Sequence, residues 1–374
     1  VIEKFQEIYE NRHEYAKRWK EVTKGKVIGY FCTYAPEELM YAAGILPVRI
    51  LGSHEPQDVT GMHIHGMYCP FCRDVLAQGL KGRYDYLDGI MISQSCLHVR
   101  QSFNSWKKHV PVDYAYYLYM PNHVQNNNAR PYLRAELQEF KNSLEAWTGK
   151  EITEAALKEA IEVYNTNRRL LREIYELRKD NNPPLSGLEA MYLVVSSQMS
   201  DKKEHNDMLA KLKELLPSRP VHEPGVRLLT VGSENDDIEL VRLIEDLGAT
   251  VVIDEHCTGS RYFWNEVIPD SDLLQAIANR YIDRPRCPTK DYERRDRLPF
   301  IMTLAKEYDV RGAIILQQKF CDPHECDNPT IIKNLEEAGI PTYFLELDVT
   351  VPYGQFKIRL EAFLEMLHAD ELFV

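Results

Sequence analysis

The strongest constraint on the fold is an alternation that appears, lapses and returns. KVIGYF (26–31), VRILG (48–52), DGIMIS (88–93) and AYYLYMP (115–121) read as buried strands, with PEELMYAAG (36–44), CPFCRDVLAQGLKG (69–82) and RQSFNSWKKH (100–109) as helices between them. A helix between consecutive strands carries the chain back to start the next strand in the same direction, so such strands pair in parallel. From about 130 to 217 the pattern changes to long charged helices, among them TEAALKEAIEVYNTNRRLLREIYELRKD with Thr153 as its N-cap. Then VRLLTVG (226–232), TVVIDE (250–255), GAIILQQ (312–318) and PTYFLELD (341–348) restore the strands. IELVRLIEDLG (238–248), stretches near 272–282 and 297–308, NPTIIKNLEEAG (328–339) and GQFKIRLEAFLEMLHAD (354–370) restore the helices. The expected fold is α/β: two doubly wound parallel-sheet domains joined by a helical segment, with a functional cleft between them. The expected divisions are an N-terminal helix (1–24), a first α/β domain (25–129), a helical connector (130–220) and a second α/β domain (221–374).

The chain has 374 residues, more than one average domain. No apolar run approaches the ~20 residues that a membrane span needs. The opening VIEKFQEIYENRHEYAKRWKEV is charged throughout and lacks the apolar stretch of a secretory signal, so the expectation is a cytoplasmic protein with no membrane role. A net charge of −12 argues against nucleic acid, whose phosphates need a basic surface. ERRDR (293–297) mixes signs and reads as a solvated face.

Eight cysteines in a reducing compartment are not explained by disulfides. Cys32, Cys96, Cys257 and Cys321 each follow a strand, at the edge where parallel sheets keep their ligands. Cys69 and Cys72 lie at a helix start, where free N–H groups favour thiolate. These six converge on the inter-domain cleft in this reading; Cys287 and Cys326, in loops, stand outside the set. Converging thiolates could serve zinc, a CxxC redox dithiol, an iron–sulfur cluster, or packing alone.

GYFCTYAPEELMYAAGILPVRILG, CPFCRDVLAQGLKG, GIMISQSC with the tryptophan of NSWKK, and GAIILQQKFCDPHECDNP together resemble the 2-hydroxyacyl-CoA dehydratase and benzoyl-CoA reductase superfamily. HCTGSRYFW and LDVTVPYGQFKIRLEAFLE look like the class I, ATP-dependent benzoyl-CoA reductases. The resemblance implies a 4Fe-4S cubane on Cys69, Cys96 and Cys321. Three further cysteines, Cys32, Cys72 and Cys257, are the extra ligands that a double-cubane 8Fe-9S cluster would need. It also implies a homologous sister subunit, ATP-hydrolysing activator subunits, reduced ferredoxin as electron source and an aromatic acyl-CoA substrate. The expected activity is that of an iron–sulfur subunit reducing benzoyl-CoA to a cyclohexadienoyl-CoA in anaerobic aromatic degradation. The rival readings are a subunit of an (R)-2-hydroxyacyl-CoA dehydratase and a free-standing double-cubane reductase. The sequence carries no G-x-x-x-x-G-K-[ST] loop, in keeping with ATP chemistry on partner subunits.

His98, two residues after Cys96, is the candidate catalytic proton donor. His63, His65, His256 and Arg261 are candidates for groups near the thiols. Glu37 and Glu38 are expected to favour a helix N-terminus, and Asp322 and Asp327 to organise the turn around Cys321.

Overall fold

The computed structural model of the chain describes residues 1–219 and 223–372, with side chains to 368. The expected junction at 220/221 and the last two residues lie outside the described residues.

The chain opens with α1 (Ile2–Glu10) and α2 (Arg12–Thr23), two helices rather than the one expected over 1–24. The break is at Asn11, whose non-helical backbone ends one helix and starts the other. The first α/β unit then runs β1 (Lys26–Tyr30), α3 (Glu37–Ala42), β2 (Ile45–Arg49), α4 (Pro70–Leu80), β3 (Gly89–Ser93), α5 (Leu97–His109) and β4 (Tyr114–Leu118). The order across its sheet is β2-β1-β3-β4, every pair parallel. β2 starts three residues before the expected strand because Pro47 does not bar it. β2 is an edge strand, and a missing N–H there breaks no ladder on the open side.

Helices α6 (Ala129–Thr148), α7 (Glu154–Glu176), α8 (Gly187–Ser197) and α9 (Lys202–Leu215) follow. Thr153 caps α7 as expected, its hydroxyl accepting the Ala156 N–H at 3.2 Å. Helix α8 starts at a capping box of Ser186 and Glu189, buries most of its length and packs against α1 and the second unit.

The second unit runs β5 (Val226–Gly232), α10 (Ile238–Asp246), β6 (Ala249–Glu255), α11 (Ser260–Phe263), α12 (Leu273–Asp283), α13 (Arg297–Glu307), β7 (Gly312–Gln318), α14 (Asp322–Glu337), β8 (Thr342–Leu347) and α15 (Tyr353–Leu372). Its sheet has the order β6-β5-β7-β8, again all parallel. The two doubly wound sheets joined by helices are the expected fold. Every residue of β5 and β7 is buried, as strands covered on both faces must be. At the end of β5, Gly232 has φ +142° and a Cβ there would stand 2.0 Å from the Leu316 carbonyl, so only glycine lets β5 pair this closely with β7.

One charged site departs from expectation, and another does more than expected. Arg297, the last residue of ERRDR, is fully buried and donates to Glu255 at 2.6 Å and Asp327 at 2.6 Å. Asp327 therefore belongs to an ion network rather than to the turn at Cys321. Glu37 and Glu38 open the first turn of α3 as expected, and both are buried: Glu38 accepts from Arg168 of α7 at 2.5 Å, and Glu37 from the Tyr262 hydroxyl at 3.0 Å. They tie α3 to the connector and the second unit. Among the described residues no helix is long and apolar enough to cross a membrane.

Candidate functional site

In a sheet of this order, the crevice opens beyond the carboxyl ends of the two central strands, where the chain leaves in opposite directions. Both sheets meet at that edge. One cavity of about 90 Å³ is lined by Cys32 and Thr33 after β1, Arg49 at the end of β2, and Ser95 and Cys96 after β3. From the second unit come Ser233 and Glu234 after β5, Cys257 after β6, Gln318 at the end of β7 and Cys321 after it. Cys69 and Cys72 of α4 complete the set, so all six cysteines singled out by sequence border one space.

Three of them share a local position. Cys69, Cys96 and Cys321 are the residues immediately before α4, α5 and α14. None of the three sulfurs caps its helix with a hydrogen bond, so the first-turn N–H groups keep no side-chain partner there. α5 and α14 begin three and six residues earlier than expected, which is what brings Cys96 and Cys321 to helix starts. Pro323, in the first turn of α14, was the sequence signal for that start. Phe320, just before Cys321, has φ +61°, a left-handed backbone that a non-glycine residue keeps only where its surroundings hold it. Gln317 does so, donating to the carbonyls of Gln318 at 2.7 Å and Cys321 at 3.3 Å.

Burial, not the helix dipole, governs the free thiols. Cys69 is held well above the usual thiol range: a hydrogen bond with Cys321 pulls it down, but one with Cys72 and burial outweigh that. Burial likewise raises Cys72 and Cys96. Cys321 is raised by its bond with Cys69 and by burial. Burial pushes Cys257 up to about 11 even though Arg49 and Arg261 favour its thiolate. The expected thiolate bias at the start of α4 is thus reversed in the free chain.

The cavity wall also holds polar atoms with nothing to bind. Arg49 Nε and Nη1, Ser95 Oγ, both Glu234 carboxylate oxygens, Arg261 Nη1, Thr289 Oγ1 and Gln318 Oε1 are buried without a hydrogen-bond partner. Buried polar groups in folded proteins are nearly always paired, so these are the atoms a bound group would satisfy. Soft thiols at three helix starts, three guanidiniums from Arg49, Arg261 and Arg284, and one carboxyl fit a thiolate-ligated group beside a polar reactant.

The remaining candidates separate. His98 does not line the cavity; its Nδ1 accepts the Cys69 N–H at 3.1 Å, its Nε2 faces Asp322 at 3.7 Å, and its ring lies against Tyr68. Its place is behind Cys69, as a positioning residue. His63 packs on His109, and neither it nor the exposed His65 borders the cavity. His256 is buried with Nδ1 2.6 Å from the Ser233 carbonyl, beside the wall rather than in it. Arg261 lines the cavity, its Nε 3.3 Å from Glu255. Cys326 is exposed and away from it. Cys287, set aside by sequence, does line it, together with Arg49, Arg284, Glu234 and Gln318. Glu234 and Gln318 follow the same strand-end rule that singled out the cysteines, and Arg49 was missed because β2 was placed three residues late.

The profile of the family described as "2-hydroxyglutaryl-CoA dehydratase, D-component" matches residues 32–367. The chain is 29% identical over 366 residues to the (R)-phenyllactyl-CoA dehydratase beta subunit of Clostridium sporogenes, covering 97% of each. It is 28% identical to a benzoyl-CoA reductase subunit of Thauera aromatica, covering 87% of this chain and 86% of that one. It is also 28% identical to the (R)-2-hydroxyglutaryl-CoA dehydratase beta subunit of Acidaminococcus fermentans, covering 98% and 99%. These findings overturn part of the sequence reading. Two of the three relatives are dehydratase subunits, against the expected benzoyl-CoA reductase of aromatic degradation. Among the described residues no three His, Cys, Asp or Glu side chains are set together as a metal ion requires, against the labels iron–sulfur, 4Fe-4S and double cubane. The thiols border one cavity, yet they are not arranged as a ready-made metal centre. What stands is membership: the chain belongs to the 2-hydroxyglutaryl-CoA dehydratase D-component family.

Proposed function

We propose that the chain is a subunit of an (R)-2-hydroxyacyl-CoA dehydratase, an enzyme that removes water from a 2-hydroxyacyl thioester with no net redox change. One observation carries the choice over the reductase: the likeness to a dehydratase subunit extends over 97% of both chains.

In this reading Cys69, Cys96 and Cys321 hold a thiolate-ligated cofactor, which when bound supplies and takes back the single electrons that loosen the hydroxyl. Their sulfurs lose protons on binding it, and Arg49, Arg261 and Arg284 supply the compensating positive charge. Phe31, Phe71 and Val99 line the same cavity and keep water out. His98 holds the Cys69 backbone. Cys32, Cys72 and Cys257 line the cavity with no separate role assigned. A homologous sister subunit and an ATP-hydrolysing activator, with reduced ferredoxin as electron source, complete the proposal.

The test is an anaerobic assay of the chain assembled with its sister and activator. Conversion of a 2-hydroxyacyl-CoA to the 2-enoyl-CoA with only catalytic electron input is expected. Stoichiometric electron consumption with an aromatic acyl-CoA, and no dehydration, overturns the reading.

A further inference from the structure

The loop after β5, SENDD (233–237), carries carboxylates that the thiols do not account for. Glu234 is 9% exposed, with both oxygens buried and unpartnered. It borders two cavities, the thiol pocket and a second of about 10 Å³ whose wall includes His54, Asp74, Asp236 and Asp348. That is about the space one water occupies. Asp236 is 1% exposed; its Oδ1 stands 2.6 Å from His54 Nε2, and its Oδ2 is buried without a partner. The His54 side chain is 23% exposed, so the pair reaches solvent. His54 has φ +57°, and Asp74 Oδ2 holds it there by accepting the N–H groups of Ser53 and His54, each at 2.9 Å. A loop kept in that conformation against its intrinsic preference marks a side chain whose placement matters.

Solvent, His54, Asp236, a water-sized gap, Glu234 and the thiol pocket therefore lie in file. We propose that Glu234 is a proton donor in the thiol pocket and that Asp236 and His54, through one water in the small cavity, connect it to solvent. The proposal rests on the dehydratase reading for its reaction.

The groups facing Glu234 are Asp236, Asp74, Arg49 and His54, with Cys72 and Cys257 on the side of the thiol pocket, while Asp348 on the far wall is paired with Arg73 at 2.7 Å. Burial, then Asp236, holds Glu234 well above the usual carboxylate range, with Arg49 and His54 opposing. Burial also works to raise Asp236, but His54 and Arg12 hold it below its ordinary value. Burial disfavours the charged imidazole, yet Asp236 overrides it and His54 is pushed up to about 10. These shifts favour a proton on His54 and on Glu234 and leave the negative charge on Asp236 between them. In the dehydration, the C–O bond breaks with its electron pair on oxygen, and the Glu234 proton completes the departing water. The Cβ–H bond supplies the pair of the new double bond, and its proton restores the acid, directly or by exchange through the relay. Atoms and electrons balance with no external oxidant.

Two measurements test this. Infrared difference spectra of the full chain titrated across neutral pH are expected to show a protonated buried carboxyl that Glu234→Gln removes and Asp236→Asn keeps. The same band persisting in Glu234→Gln would overturn the donor whether or not the dehydratase reading stands. In the assembled enzyme, Glu234→Gln should cut kcat about 100-fold with little change in KM, the scale of a lost general acid. His54→Ala should lose about tenfold and recover with added imidazole, which reaches the partly exposed site. Wild-type turnover in His54→Ala, or a loss that imidazole does not restore, overturns the relay. If wild type dehydrates nothing, the dehydratase reading fails and the infrared arm still decides the donor.

Discussion

The two sheets have the same strand order, and their central strands open on the same cavity, but they bring different chemistry to it. The first unit, with five-residue strands, contributes Cys32, Cys69, Cys72 and Cys96. The second, whose first three strands have seven residues each, contributes three thiols, Cys257, Cys287 and Cys321, and also Glu234, Arg261, Gln318 and His324. Their interiors differ in the same sense. Trp106 is fully buried in the first, against Phe31, Tyr84 and Gly79, where a Cβ would stand 2.7 Å from the indole. In the second, Glu255 is buried between Arg261 and Arg297. With Arg49 from the first unit and three thiols from the second, the contrast is one of weight: one architecture leans toward soft donors on an aromatic core, the other toward charges on an ionic one. Only Cys96 and Cys321 occupy equivalent places, each after a central strand and before a helix.

That equivalence makes the largest prediction. On the proposed function, Cys96→Ala and Cys321→Ala should behave alike, each losing the cofactor proposed there and at least 100-fold in activity, since three thiols leave no spare ligand. Elemental analysis of bound metal alongside turnover checks it. Full content in either variant, with the other empty, would mean that the two units are not used symmetrically.

The ionic core of the second unit predicts the next effect. Glu255→Gln leaves Arg261 without a buried carboxylate and strips Arg297 of one of its two. Removing one partner of a buried ion pair costs about 3–5 kcal/mol. Denaturant unfolding measures it, and the loss should change little with salt because the pair is shielded from it. A loss under about 1 kcal/mol would show that these charges do not hold the second unit together.

The same contrast explains what the sequence disclosed. VRLLTVG and GAIILQQ are strands residue for residue, because a run buried on both faces is apolar over most of its length. The strand-end cysteines could be placed for the same reason, since finding the strand locates its carboxyl end. Pro47, Pro329 and Arg297 were misread because tertiary context overruled local preference. An open sheet edge tolerates Pro47, α14 accommodates Pro329 within its length, and two carboxylates make burial of Arg297 possible. Arg284 and Cys287 carry no local mark. They become site residues only when loops over 200 positions apart from Cys32 close on it, which no window of sequence contains.

His54 and Asp236 join the units, one residue from each, and the pair gives a smaller, pH-dependent effect. The folded pKa of His54, about 10, lies above its ordinary value of 6.5. Its stabilisation is therefore fully present below pH 6.5 and is lost as pH rises through about 10. His54→Asn should cost roughly 2 kcal/mol at pH 6, the scale of a charge-assisted hydrogen bond, and little near pH 10.5. Paired denaturation curves at the two pH values decide it; a difference that grows with pH would reverse the assignment of the charge.

The smallest effect is the most discriminating, because it separates folding from function at a single atom. Cysteine is a poor N-cap, and Cys96 forms no capping hydrogen bond to α5. Serine is among the best N-caps, worth about 0.5–1 kcal/mol over residues that do not cap. Cys96→Ser should therefore raise the stability of the free chain by about that much while abolishing activity, and Cys321→Ser should do the same for α14. By contrast Asp237, which caps α10 by accepting the N–H groups of Glu239 and Leu240, should lose about 1 kcal/mol on change to Ala. Stability gained at Cys96 and Cys321 and lost at Asp237 would show that the helix starts facing the cavity forgo capping for the sake of the sulfur. A Cys96→Ser chain no more stable than wild type would mean instead that the sulfur is a sufficient cap, and that these cysteines serve the helices as much as the site.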